Sequence, residues 1–440
     1  MRIALPRLLL AVLVAVVAGS LGVGAAAPDP TFTRDVAPIL QKHCQECHRA
    51  GGGGPFHLIT YDQVYRRRTK ILEATRTRAM PPWKPVADYA DFIGVRGLSK
   101  EEIATIARWV ETGAAEGDPS DLPPPPAFEA AAGRRTPDLV LRSEPFTVPA
   151  RGGDVYRCFS VPTTFTDDRY FTFTEAVPGN SRIVHHMLAM VDAAGGSANI
   201  RPTDWSSGYP CFGGPRVRID GYLGAWAPGA RPWVMPEGVG IHLPAGARVV
   251  IQMHYHNAGP AQESDRTELR LHAATTPIVK RLHFMRVGSF SFTIPADAAR
   301  HEIEAGTFVH RPMSLIAIHP HMHLLGREMK VWAKLPDEST RPLVHIDDWD
   351  FNWQGFYFYR TPVALPRAAW IELTAAWDNS AGNSRNPNRP PKAVQWGERT
   401  VDEMGHAAIL YTLDDEKLDR AAPAPAKEAQ RGFTGAGGRP

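Results

Sequence analysis

Short runs that alternate apolar and polar residues, or are wholly apolar, recur from about residue 139 to 417. RVVIQMHYHN, SLIAIHPHMHLL, EMKVWAKL and AWIELTAAW are examples, and Gly, Pro, Asn and Asp separate them. A period of two sends successive side chains to opposite faces, which suits a half-buried strand and no helix. Many such runs between turn residues predict an all-β sandwich. The region is long for one sandwich, so it is divided into two, residues 139–280 and 281–417. With 440 residues, 43% of them hydrophobic, the chain can bury several cores.

The flanks read differently. Arg2 and Arg7 precede LLLAVLVAVVAGSLGVG, and Ala25-Ala26-Ala27 offers small residues for cleavage. Residues 1–27 are therefore expected to be a signal peptide, with an uncleaved single-span anchor as the alternative. Residues 28–117 carry helical patterns. TFTRDVAPILQKHC opens with a threonine cap candidate and spaces Val36, Ile39 and Leu40 helically. In LSKEEIATIARWVETG, Ser99 and Glu102 form a capping box, Ile103, Ile106, Ala107 and Val110 form a stripe, and Gly113 can close the helix. Residues 118–138, DPSDLPPPPAFEAAAGRRTPD, read as a semi-rigid linker, and 418–440 as a disordered tail. The net charge of +3 and the lack of a long basic run give no reason to expect nucleic acid as a partner.

Cys44-Gln45-Glu46-Cys47-His48 is a C-x-x-C-H motif. Its thiols can form thioethers to haem vinyl groups, with His48 as the proximal iron ligand. A zinc half-site lacks a second cysteine pair nearby, and a redox dithiol lacks a thioredoxin-like βαβ pattern. Met80, in RAMPPWKP, is the candidate sixth ligand. Residues 31–117 resemble a class I c-type cytochrome, which implies a small all-α domain holding haem c through Cys44, Cys47, His48 and Met80. The two remaining cysteines, Cys158 and Cys211, most simply pair in an oxidising compartment. The mature chain is expected to be periplasmic or secreted.

Four clusters in the β region can ligate metal: Val184-His185-His186-Met187, Met253-His254-Tyr255-His256, His319-Pro320-His321-Met322-His323, and Asp402-Glu403-Met404. Neighbouring His185 and His186 can share an ion only at a strand end or a bulge. His254 or His256 then offers a third imidazole. Imidazoles with a thioether suit copper, because soft sulfur favours the cuprous state.

The order HHM, AWAPGARPWVMPEGVG, QMHYHN, HMHLLGREM, DEM resembles the type II copper, ascorbate-dependent monooxygenases, the dopamine β-hydroxylase and peptidylglycine α-hydroxylating monooxygenase family. The resemblance covers about residues 138–417. It implies two jelly-roll-like β-sandwich domains with one copper each, facing across a solvent cleft. His185, His186 and His254 would hold the electron-transfer copper; His321, His323 and Met404 would hold the oxygen-activating copper. It also implies a Cys158–Cys211 disulfide and a small-molecule substrate hydroxylated with O2, with ascorbate, another donor, a redox partner protein or the fused haem supplying electrons. His319 stands where peptide-hydroxylating members carry a carboxylate-anchoring arginine, and Ala408 where they carry a tyrosine. Both departures argue against a peptide carboxylate. His256 is not expected to ligate, and Gln252 can orient His254 or simply pack. The aromatics of DDWDFNWQGFYFYR read mostly as sandwich core or sheet surface, and the loop of Asp378, Asn379 and NPNRPP as a border of the cleft. A non-enzymatic haem and copper electron-transfer protein is the alternative.

Overall fold

A computed structural model describes residues 28–50, 52, 54–127, 136–202 and 207–418. The expected leader, the middle of the linker and the tail from residue 419 lie outside them. Among the described residues, no helix is long and apolar enough to cross a membrane.

The N-terminal lobe holds helices α1 (Ala37–His43), α2 (Tyr61–Tyr65), α3 (Arg68–Arg76) and α4 (Lys100–Glu111). The capping box starts α4: the Glu102 N–H donates to Ser99 Oγ at 3.1 Å, and the Ser99 N–H to Glu102 Oε2 at 2.8 Å. Gly113, at φ +102°, follows its end, where a side chain would be strained. Ile106 and Trp109 join Phe32, Val36, Leu40 and Ile71 in one small core. The threonine cap expected before α1 does not form. Thr31 makes no side-chain cap bond, and its N–H donates instead to Asp35 Oδ2 at 2.7 Å.

The rest is mostly β-structure in sandwich-like layers. In the first lobe, one sheet runs Tyr209–Pro210, Val155–Pro162, Arg248–Tyr255, Val184–Asp192, Gly221–Trp226. It faces a sheet built around Glu268–Ala273, Arg169–Val177 and Val239–Leu243. Arg248–Tyr255 is central and buried on both faces, which explains its near-continuous apolar run. In the second lobe, His283–Ser289, Gly405–Leu413, Met313–Met322 and Tyr357–Leu365 form one sheet. His301–Phe308, Trp370–Trp377, Gly326–Lys334 and Thr340–Ile346 form the other. Each lobe has its own apolar core. Cys158 and Cys211 are disulfide-bonded, tying the Val155–Pro162 strand to the segment after Tyr209–Pro210.

The helical lobe is docked on the β lobes as well as linked to them. After α3 the chain crosses the second lobe: Pro85 bridges Ile346 and Phe92 bridges Tyr359. The Val86 N–H donates to His345 O and the Ile93 N–H to Phe358 O, both at 2.8 Å. Phe92 is 2% exposed within the second core. Lys84 is buried with its ammonium 2.8 Å from Asp348. On the first lobe, Arg96 donates to Gly229 O at 2.8 Å and Arg231 pairs with Glu46.

Candidate metal centres

His185 and His186 sit at the start of the Val184–Asp192 strand, where its pairing with Arg248–Tyr255 slips. His254 faces His186, yet the next residue, Tyr255, faces Val184, so His185 is the bulged residue. The bulge turns two adjacent imidazoles toward one point, as their stereochemistry requires. His186 Nδ1 lies 3.3 Å from His185 Nδ1 and 3.4 Å from His254 Nδ1. Among the described residues these three form a group able to hold a metal ion, with ligand atoms within 4.8 Å of one another. Burial lowers the pKa of His185 to about 4 and that of His186 well below its ordinary value, so both are neutral donors at pH 7.

The far side of His254 is fixed. Tyr156 stacks on its ring at 4.2 Å and 11°. The Asp154 carboxylate lies 3.2 Å from its Nε2, although that nitrogen lacks good hydrogen-bond geometry. His254, with Thr400 and His256, holds Asp154 well below the usual carboxylate range. His256 is half exposed and turned to Asp154, away from the three Nδ1 atoms. Gln252 does not orient His254; its amide reaches Cys211 O at 3.3 Å.

The second set uses the opposite ring nitrogens. His321 Nδ1 lies 2.6 Å from Gln354 Oε1, and His323 Nδ1 lies 3.0 Å from Asp402 O. Both acceptors hold the proton on Nδ1 and leave Nε2 as the lone-pair donor. His323 is fixed further. Its N–H donates to Glu403 Oε2 at 2.9 Å, and its carbonyl accepts from Trp349 Nε1 at 3.0 Å. Glu403 also accepts from the Leu325 N–H at 2.6 Å and from Trp377 Nε1 at 2.8 Å. Burial pushes its carboxyl up to about 8, against the pull of these donors. Met404 follows directly and lines the same cavity as His321 and His323. Burial lowers His323 to about 4 and His321 well below its ordinary value.

Both sets open on one cavity of about 1060 Å³ between the lobes. Phe351 separates them, stacked on His185 at 5.2 Å and edge-on to His323 at 5.8 Å. His319 stacks on His321 at 5.9 Å and on Phe356 at 4.7 Å. His406 pairs across the sheet with His321, with ring centroids 5.0 Å apart, and its Nδ1 is buried without a partner. Sequence reading missed Phe351, Gln354, Phe356 and His406 as site residues. The first three lie in the aromatic stretch read as packing, which does hold for the buried Trp349, Tyr357 and Tyr359. The 378–392 loop does not border the cavity. Its asparagines face inward: Asn379 Nδ2 donates to Pro295 O and Lys392 O at 2.8 Å.

In the helical lobe, His48 Nδ1 lies 3.0 Å from Phe56 O, which leaves Nε2 as donor. Cys44 and Cys47 are unpaired, and a Cβ at Gly54 would meet His48 Nδ1 at 2.6 Å. Burial pushes the Cys44 thiol up to about 12, the opposite of a redox dithiol. This donor set fits haem attachment. Met80 follows α3, its N–H donating to Ala74 O at 3.0 Å, and begins the segment that crosses the second lobe.

No family model matches the chain. It is 25% identical over 300 residues to "DBH-like monooxygenase protein 1" of Mus musculus, across 62% of this chain and 46% of that protein. The chain thus spans less than half the length of the curated relative it matches. Among solved structures, the infectious bursal disease virus VP2 subviral particle aligns at 8% identity and TM-score 0.17, covering 64% of this chain and 78% of that one. The PBSX exported protein XepA aligns at 8% and 0.16, covering 54% and 86%. Likeness at that level bears on neither fold nor function.

Proposed function

We propose that the chain is a copper-dependent monooxygenase that hydroxylates a C–H bond of a small organic substrate. The observation that carries this reading is two donor sets of different make across one cavity. One offers three imidazoles whose Nδ1 atoms converge; the other offers two Nε2 donors on a cavity that Met404 also lines. The monooxygenase relative supports it. Copper held there would supply electrons and O2 activation, so that C–H, O2, two electrons and two protons give C–OH and water.

The chain's own residues do the rest. His185, His186 and His254 would hold the electron-transfer ion, and His321, His323 and Met404 the oxygen-activating one. Gln354 and the Asp402 carbonyl keep protons on the Nδ1 atoms, so Nε2 stays available. Phe351 spaces the two sets. Cys44 and Cys47 would attach haem c, and His48 and Met80 would ligate its iron. Haem there would supply one-electron transfer, drawing on ascorbate, another small donor or a redox partner protein. The Glu46–Arg231 pair sets the Cys44–His48 segment against the loop after the strand Gly221–Trp226, which pairs with the strand bearing His185. The disulfide supports an exported, periplasmic or secreted chain.

The test is O2 consumption and ¹⁸O incorporation by the copper-loaded, reduced protein across a panel of small reduced substrates. One labelled hydroxyl per O2 supports the reading. O2 reduction without label in any product contradicts it. For electron supply, stopped-flow oxidation of reduced haem is compared in wild type and His254→Ala. Equal rates mean the haem does not feed that set.

A further inference from the structure

We infer that Asp154 and Thr400 form a latch between the two β lobes that positions both donor sets at once. Asp154 immediately precedes the Val155–Pro162 strand of the first lobe. Its Oδ1 lies 3.2 Å from His254 Nε2 and 3.1 Å from His256 Nδ1. Its Oδ2 accepts from Thr400 Oγ1 at 2.6 Å, across 246 residues of sequence. Thr400 belongs to the second lobe. The residues that follow it are those that build the second set: the Asp402 carbonyl fixes His323, the Glu403 carboxylate holds the His323–Leu325 backbone, and Met404 lines the cavity. One carboxylate thus touches a donor of the first set and the loop that shapes the second.

The latch has company on both sides. Tyr156, two residues from Asp154, stacks on His254 and meets Phe212 edge-on at 5.4 Å. Glu398, on the Thr400 loop, lies close enough that a Cβ at Gly213 of the first lobe would meet its carboxylate at 3.7 Å. The lobes also join through apolar contacts such as Tyr222–Phe284 at 4.4 Å and Trp233–Phe356 at 4.8 Å. Those contacts set a shared wall, while strand pairing holds His254 and His321 each within its own lobe. Asp154 and Thr400 act on the ligand-bearing segments themselves. A carboxylate 3.2 Å from the distal nitrogen of His254 favours a proton there and leaves Nδ1 as the lone-pair donor. The hydroxyl bond adds the relative placement of two loops that no strand pairing fixes. Asp154 is a positioning residue; it need not touch substrate.

The inference rests on the assignment of His254 and Met404 to two facing donor sets, but its test does not need an active oxygenase. Hydrogen–deuterium exchange is measured on metal-free wild type, Thr400→Val, Thr400→Ser and Asp154→Asn. Val removes the hydroxyl and Ser keeps it. Expected is faster exchange in both the 153–157 and the 397–404 peptides for Thr400→Val and Asp154→Asn, and wild-type exchange for Thr400→Ser. Chelator-competition titration with copper should show a tenfold to hundredfold weaker first set in Asp154→Asn, with an altered cupric EPR signature. Thr400→Val exchange that rises only in its own loop, or not at all, overturns the latch. So does Asp154→Asn with unchanged affinity and signature.

Discussion

Replacing Glu403 by Gln should loosen the second lobe and its donor set together. Glu403 is fully buried and accepts three N–H bonds of 2.6 to 2.9 Å, from Leu325, His323 and Trp377. Gln keeps the shape. Its oxygen at the Oε2 position still serves His323 and Trp377, but its NH2 then faces the Leu325 N–H. A buried donor left without an acceptor costs about 1–3 kcal/mol. Above the carboxyl's pKa of about 8, where it is ionised, turning two charge-assisted bonds into neutral ones costs about 1 kcal/mol more. Removing a buried carboxyl returns part of the desolvation penalty that burial imposes on it. The net loss is about 1–3 kcal/mol, and at about 2–4 °C per kcal/mol for a lobe of this size the melting temperature falls by about 2–12 °C. Near-UV circular dichroism of the metal-free protein measures the melt. Chelator competition measures copper at His321, His323 and Met404, which should weaken about tenfold or more as His323 loses its anchor. A melt within about 1 °C of wild type and an unchanged affinity would refute the anchoring role.

Met404→Ile should abolish hydroxylation while the fold and the first set persist, because Ile keeps apolar bulk and loses the thioether; near-normal turnover would make Met404 a packing residue. Gln354→Leu should weaken copper at the second set about tenfold to hundredfold by freeing the His321 tautomer, read by metal titration; unchanged affinity counts against that role. Phe92→Ala should destabilise the second lobe by about 3–5 kcal/mol and release the helical lobe to limited proteolysis within residues 81–96. An intact digestion pattern would mean the crossing segment contributes little.

Much of this was legible in the sequence because it rests on local rules. Alternation marked the strands, the Ser99–Glu102 box marked α4, and adjacent His185 and His186 called for a strand end or a bulge, of which the register supplies the bulge. What escaped notice was long-range. Phe351, Gln354 and Phe356 belong to a stretch whose composition fits sheet packing equally well, and only the packing of the lobes turns them to the imidazoles. Lys84 and Phe92 fall within the span assigned to the haem domain, yet both are buried through partners more than 250 residues away. Asn379 looked like cleft border by loop position, while its amide is committed to backbone carbonyls. Glu403 sits inside a motif noted for its methionine, and a buried carboxylate leaves no periodic signal.

Metal and haem content per chain is the most direct test of the central claim. Protein matured with haem and loaded with excess copper is freed of loose ions and measured by inductively coupled plasma mass spectrometry and denaturing haem extraction. The account predicts two copper ions, falling to one in His185→Ala and again to one in His321→Ala, with one haem that resists extraction. Saturation at a single copper, or a second ion that survives both substitutions, would contradict it.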